Sequence, residues 1–264
     1  MPLCKRDSAW FDAILKNDLV FVQNNLEKYQ RQYESRSKGA GIRQGWAGIH
    51  YAVELNHDQI FEALFPYEFD LLTDKPTELY CQFLDRPASL DSGSSIIHIA
   101  LTTNNVKVLQ YVFKQWVENP EYGDLAGVKN DSGQSGLLVC PVVNTDAAML
   151  WATNERVIRN EITSVTNKDQ NFVMMVAMMG RVAYAELIKD FIGEQAKLNI
   201  DVQIEQLKET IQELMESLDD EEQGWRHYGE QEADQLNYKT FAEEKQKVID
   251  ILAEVEQGFE DSDE

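Results

Sequence analysis

The apolar positions of this chain fall mainly in short runs with helical spacing. In 8–29, SAWFDAILKNDLVFVQNNLEKY, Trp10, Ile14 and Leu15 share one face, and Val20, Val22 and Leu26 begin another after Asn17-Asp18. Spacings of three and four put such residues on one side of a helix, and Asn-Asp is turn chemistry. The polar, glycine-containing RQYESRSKGAGIRQG predicts a loop. In 45–65, GWAGIHYAVELNHDQIFEALF, Ile49, Ala52 and Val53 form one face and Asn56-His57-Asp58 break it. Ile60, Phe61, Leu64 and Phe65 then form a second. Two short helices joined by a tight turn are predicted.

That stretch is repeated. GSSIIHIALTTNNVKVLQYVF begins at Gly93, with Gly45, His50, Ala52, Ile60 and Phe65 aligned to Gly93, His98, Ala100, Val108 and Phe113. A third copy, DSGQSGLLVCPVVNTDAAMLW, begins at Asp131, and a fourth, DQNFVMMVAMMGRVAYAELIKDF, at Asp169. Matching starts at Gly45, Gly93, Gly133 and Asp169 are 48, 40 and 36 residues apart. Repeats of this length with drifting intervals predict a helical solenoid with loop insertions, because a single helix pair cannot hide its apolar face and stacked pairs share a core. Pro66, Pro76, Pro87 and Pro120 are expected in the insertions. Pro141 opposes a regular first helix in the third copy, since proline lacks the N–H and crowds the preceding turn.

From 194 the pattern changes. Ile200, Ile204, Leu207, Ile211, Leu214 and Leu218 are spaced 4, 3, 4, 3, 4, a heptad seam. DDEEQG interrupts it, and Phe241, Val248, Leu252, Val255 and Phe259 follow with heptad-compatible spacing. This segment predicts coiled-coil oligomerisation, a hairpin folded back near 224–229, or a helix laid on the last repeat. Its charge opposes a long parallel homodimer. Residues 194–264 carry 22 Asp+Glu against 6 Lys+Arg, so they hold −16 of the total −22 and leave −6 for 1–193.

That charge also limits the partners. Nucleic acid and anionic membranes bind cationic surfaces, so neither is expected as a partner, whereas basic proteins are favoured. The start, MPLCKRDSAWFDAIL, lacks the apolar core of a secretory signal, and no apolar run is long enough to span a bilayer. Cys4, Cys81 and Cys140 are far apart and odd in number, which fits free thiols in a reducing compartment. A soluble, cytoplasmic protein is expected.

The repeated stretch resembles an ankyrin repeat, whose pattern runs Gly-x-Thr-Pro-Leu-His-x-Ala-Ala-x-x-Gly-His followed by Ile-Val and Leu-Leu. Gly45, Ile49, His50, Ala52, His57, Ile60 and Leu64 fit, and Asn56 stands at the turn glycine. Ala47-Gly48 and Ser95-Ile96 replace Thr-Pro. The third copy keeps Gly133, Ser135 and Leu137, with Cys140 at an alanine position, and the fourth keeps Val176-Ala177 and Gly180. Residues 8–29 resemble a degenerate capping repeat. The resemblance implies an all-α fold: an ankyrin-type helical-pair solenoid of four to five divergent repeats over 1–193, then long acidic heptad-patterned helices over 194–264. It implies a concave partner-binding face comprising Arg43, Gln44, Trp46, Glu54, Leu55, Asp91, Ser94, Thr102, Thr103, Asp131 and Gln134. Trp46 is either an exposed interface anchor or a residue packed under the loop 66–90; as an anchor, its replacement by alanine would weaken binding and leave stability intact.

Candidate chemistry has structural explanations. His50 and His98 stand where the repeat uses an imidazole to hydrogen-bond neighbouring backbone, His57 is at a turn, and the fourth histidine is His227. No Cys-x-x-Cys or His-Glu-x-x-His accompanies them. Cys140 fits a buried thiol, and the acidic run 219–222 lacks the ligand spacing of an EF-hand. Met174, Met175, Met178 and Met179 fit core positions better than an adaptable groove. No catalytic centre, metal or cofactor is expected. Ankyrin-type repeats imply a protein–protein scaffold. Their combination with heptad helices resembles the organisation of ankyrin-repeat, coiled-coil proteins of flagellate protist cytoskeletons, some associated with microtubules. The rival expectation is a soluble adaptor or inhibitor that captures a basic partner by charge.

Overall fold

The computed structural model describes residues 5–37, 39, 41–81, 83–197 and 238–260, and these are mostly helical. Packing divides the chain into two compact units, Met1–Val157 and Ile158–Glu264.

In the first unit, α1 (Lys5–Leu15) pairs with α2 (Leu19–Tyr29), and α3 (Gly48–Glu54) with α4 (Asp58–Glu68). The same pairing joins α5 (Ile96–Thr102) to α6 (Val106–Glu118) and α7 (Gly136–Val143) to α8 (Asp146–Ala152). The first helices pack in series, α1 on α3 on α5 on α7, and the second helices likewise, α2 on α4 on α6 on α8. Two helical layers result, with Ile14, Ile49, Ile97 and Leu137 buried between them. A short helix α9 (Glu155–Glu161) follows.

Each pair turns on the same chemistry. Asn17, Asn56, Asn104 and Asn144 all have positive φ, between 45° and 58°. Asparagine enters this left-handed region more readily than most residues because its short amide can bond locally. The following residue ties the pair to its predecessor. His57 Nδ1 meets Ile14 O at 2.9 Å, Asn105 Nδ2 donates to Val53 O at 2.9 Å, and Thr145 Oγ1 donates to Leu101 O at 2.8 Å. A carbonyl in the last turn of one helix, which already accepts a backbone N–H, thus takes a further bond from the next pair. Asn105 and Thr145 also cap their own helices, accepting the N–H of Val108 and Ala148.

The loops between pairs share a two-bond clasp. Glu34 N–H donates to Trp46 O, and Gly45 N–H to Glu34 O. Thr73 and Asn130 repeat the pair of bonds with Gly93–Ser94 and Gly133–Gln134. The longest repeat interval, from Gly45 to Gly93, carries its insertion inside a clasp. Only two residues separate Asn130 from Gly133, whereas a β-hairpin is inserted between Thr73 and Gly93. Its strands β1 (Thr77–Cys81) and β2 (Arg86–Leu90) pair antiparallel, Thr77 opposite Leu90 and Cys81 opposite Arg86. Leu79, Cys81 and Leu90 face inward, and both strands pack on α5. The fold is mostly helical as expected, and this two-stranded hairpin is the one departure from it among the described residues, within the expected loop 66–90. Pro66, expected in a loop insertion, and Pro141, expected to oppose a regular helix, instead lie within α4 and α7 near their C-terminal ends.

The second unit contains α10 (Phe172–Met179), α11 (Val182–Lys197) and α12 (Tyr238–Glu260). Thr166 and Asp169–Gln170 form the same clasp, with Asp169 at φ 57° where the other clasps have glycine. Asn171 caps α10 by accepting Met174 N–H at 3.0 Å, and Gly180 turns the chain into α11. Position 193 falls inside α11, and α12 packs on both α10 and α11. Val248, Leu252 and Val255 of the second heptad-spaced run are buried there with Ile251. Full burial of such side chains contributes about 1.5–3 kcal/mol each. The first seam, Ile200 to Leu218, and His227 lie outside the described residues.

Candidate interaction surface

The expected partner face is largely engaged by the chain itself. Trp46, Ser94 and Thr102 are 0%, 0% and 2% exposed and offer nothing to a partner. Trp46 sits edge-on to His50 and Tyr51, with the Arg43 guanidinium 5.3 Å from its ring centre. The loop carrying Arg43 closes over α3, where Arg43 N–H donates to Tyr51 Oη and Tyr51 Oη donates to Arg43 O. Ser94 donates to Asp91 O inside a clasp, and Thr102 Oγ1 bonds back to His98 O within α5. Trp46 occupies a position that the repeat pattern leaves free to vary, but the local insertion covers it.

Arg43 and Glu54 form an ion pair with two hydrogen bonds, one from Nε at 2.8 Å. Arg43 Nη1 also reaches Thr77 Oγ1 and Glu78 O, both at 3.3 Å, which anchors β1 beside α3. Cys81 Sγ donates to Val143 O at 3.6 Å on the α7 side. The hairpin thus lies across the first-helix layer, and α5 is buried along its whole length. Asp91 accepts from Ser132, and Asp131 from Ser92, a reciprocal lock between neighbouring loops. Gln134 O receives His98 Nε2–H, and Thr103 Oγ1 donates to Ile99 O. Gln44 is partly exposed and accepts from Lys75; Leu55 is 37% exposed at the end of α3. Gln44, Leu55, Thr103 and Asp131 remain accessible.

The two repeat histidines hold backbone. Ala47 N–H donates to His50 Nδ1 at 3.0 Å, so Nε2 carries the proton and donates to Leu71 O at 3.0 Å. His98 repeats this with Ser95 N–H at 3.2 Å and Gln134 O at 2.9 Å. Both rings are fully buried, and burial lowers their pKa, that of His50 to about 4. A neutral imidazole with both nitrogens engaged acts as a strut between loop and helix. Burial also raises the Cys140 thiol well above its ordinary value, and the thiol donates to Gly136 O at 3.2 Å. Among the described residues, no group of three or more His, Cys, Asp or Glu is placed to hold a metal ion. Nor is any described helix long and apolar enough to cross a membrane.

A different feature lies on the second-helix layer. Phe61 and Phe65 in α4 and Phe69 just past its end follow one another at four-residue intervals. Tyr111 of α6 meets Phe61 and Phe65 edge to face at 5.4 and 5.3 Å. Tyr122, in the 3₁₀ segment Pro120–Gly127, meets Phe65 and Phe69 at 5.0 and 4.7 Å. Phe61 and Phe65 are buried, whereas Phe69, Tyr111 and Tyr122 are half-buried. Sequence periodicity finds the phenylalanines as a helix face. It does not find the tyrosines' convergence, which depends on the path of the chain after α6. No protein-family model matches this chain, and no curated protein matches its sequence.

Proposed function

We propose that this chain is a non-enzymatic protein–protein interaction scaffold of the ankyrin-repeat type, acting as a structural component of a cytoskeletal, microtubule-associated assembly. The observation that carries the scaffold reading is the recurrence of one hydrogen-bond plan: loop clasp, buried histidine strut and left-handed asparagine turn in successive helix pairs. Such a plan builds an extendable surface, because each pair bonds mainly to its neighbours. The reciprocal locks Ser92–Asp131 and Asp91–Ser132 stiffen that surface further. The acidic 194–264 segment is the proposed assembly device, through coiled-coil pairing with a more basic chain.

The second reading, a soluble adaptor that captures a basic partner by charge, is favoured by the concentration of −16 in 194–264. Salt separates the two. Cells expressing the tagged chain are extracted with detergent and washed at rising ionic strength. A structural component stays with the insoluble cytoskeleton throughout. Complete release as salt screens the charges supports the adaptor and overturns the cytoskeletal role.

A further inference from the structure

We propose that the second-helix layer of the first unit carries a cation site, formed by Tyr111 and Tyr122 over Phe65 and rimmed by Glu62 and Glu118, that takes an arginine side chain from a basic segment of a partner protein. This deepens the scaffold reading and rests on it, naming the chemistry by which a partner is held.

The aromatic geometry comes first. Phe65 is buried, and both tyrosines stand edge to face against it, Tyr111 at 78° and Tyr122 at 67°. Neither tyrosine is fully covered, so each stays partly open to water. An arginine guanidinium is flat, delocalised and weakly hydrated, and it stacks on aromatic faces more readily than an ammonium does. The rim is acidic. Glu62 on α4 and Glu118 on α6 are exposed. Among the described residues neither forms an ion pair. Both lie within electrostatic reach of Tyr111, whose phenol is raised first by burial and then by Glu62, Tyr122 and Glu118. The neighbouring cations are Lys107, already paired with Asp58 at 2.6 Å, and Lys114, on α6 between Tyr111 and Glu118. Lys114 is exposed and adds a cation to the same helix as Glu118, so a guest must offer stacking as well as charge.

The chain already holds its own guanidinium in this way. Arg43 lies 5.3 Å from the Trp46 ring centre while its nitrogens donate to Glu54. At Tyr111 and Tyr122 an aromatic surface and carboxylates are again together, with the guanidinium to be supplied from outside. A net charge of −22 attracts such a segment at long range, and the rim gives it a definite seat.

The test titrates the full chain with an acetylated hexa-arginine peptide by calorimetry at low and physiological salt. Glu62→Gln/Glu118→Gln and Tyr111→Leu should each weaken binding about tenfold, the scale of a desolvated cation–aromatic contact with its counter-charge. Lys114→Gln should tighten it. The control Glu27→Gln/Asp146→Asn removes the same net charge from exposed positions elsewhere and should change affinity less than twofold. Circular dichroism melts establish that each variant is folded; if Tyr111→Leu is not, the two glutamine exchanges decide alone. Equal weakening in both double variants overturns the site and leaves a basic-partner scaffold standing. No saturable binding by the unmodified chain also overturns the site, while the scaffold role is still judged by cytoskeletal retention.

Discussion

Glu68, in the last turn of α4, accepts the backbone N–H of Ile49, in the first turn of α3, at 2.8 Å. The equivalent N–H in the next pair, that of Ile97, donates to the hydroxyl of Ser95 at 3.3 Å. Ala47 stands where Ser95 does and has no side-chain oxygen to offer. A carboxylate from the partner helix has taken over the cap. Its other oxygen accepts Arg31 N–H at 2.8 Å, which ties the segment after α2 to the same point. Replacing Glu68 with alanine leaves both N–H groups without that acceptor. The expected loss is about 2 kcal/mol or more, since an unsatisfied buried donor costs roughly 1–3 kcal/mol. Urea unfolding at constant m-value measures it, and a loss below about 0.5 kcal/mol would show that water replaces the carboxylate.

The same pair of helices contains two groups with opposed pH behaviour. Burial pushes Glu68 up to about 7, against the pull of the Arg31 and Ile49 N–H groups. Its folded pKa is raised, so its contribution to stability is full below about 4.5 and is lost as pH rises through 7. His50 is lowered to about 4, so its contribution is present above about 6.5 and is lost as pH falls through 4. Relative to the wild type, His50→Gln should show a stability deficit that shrinks on acidification from 6.5 to 4, by an amount on the order of 3 kcal/mol. For Glu68→Gln the deficit should shrink instead as pH rises from 4.5 to 7. Deficits that move in the same direction for both variants contradict the assignment.

Trp46→Ala should unfold the first unit more easily rather than merely impair a docking surface. The ring is fully buried against His50 and Tyr51, and removing a buried tryptophan costs about 3–5 kcal/mol. Thermal denaturation followed by far-ultraviolet circular dichroism gives the answer. An unchanged melting temperature would return Trp46 to the surface.

Much of this fold can be read from local spacing. Ile49, Ala52 and Val53, then Ile60, Phe61, Leu64 and Phe65, mark α3 and α4 by their three- and four-residue spacing, although burial in α3 extends to every position from Gly48 to Val53. The β-hairpin was not legible. Leu79 and Cys81 alternate with exposed Glu78 and Tyr80, but the five residues of Thr77–Cys81 are too few to distinguish a strand from a loop. The engagement of several expected partner-face residues by the chain itself is equally hidden in the sequence. Arg43, in the insertion after Glu34, lies against Trp46, and the hairpin inserted after Thr73 packs on α5, whereas Gln44, Leu55, Thr103 and Asp131 stay accessible. The Glu68 cap and the Tyr111–Tyr122 cluster depend on tertiary approach, which no window of sequence contains.

The heptad-spaced run in α12 shows what periodicity leaves open. Spacings of three and four describe a stripe on a helix without naming what the stripe meets. Val248, Leu252 and Val255 meet α10 and α11, and Lys189 pairs with Glu254 at 2.6 Å across the same junction. Both charged groups are substantially exposed, so the apolar stripe holds the helix and the ion pair adds little. Leu252→Ala should therefore cost about 2–4 kcal/mol and raise hydrogen exchange in α10 and α11, the helices on which α12 rests. Glu254→Ala should change that exchange by less than the equivalent of about 0.5 kcal/mol. If Leu252→Ala leaves exchange in α10 and α11 untouched, those helices do not depend on α12. Its apolar stripe is then free to pair with another chain.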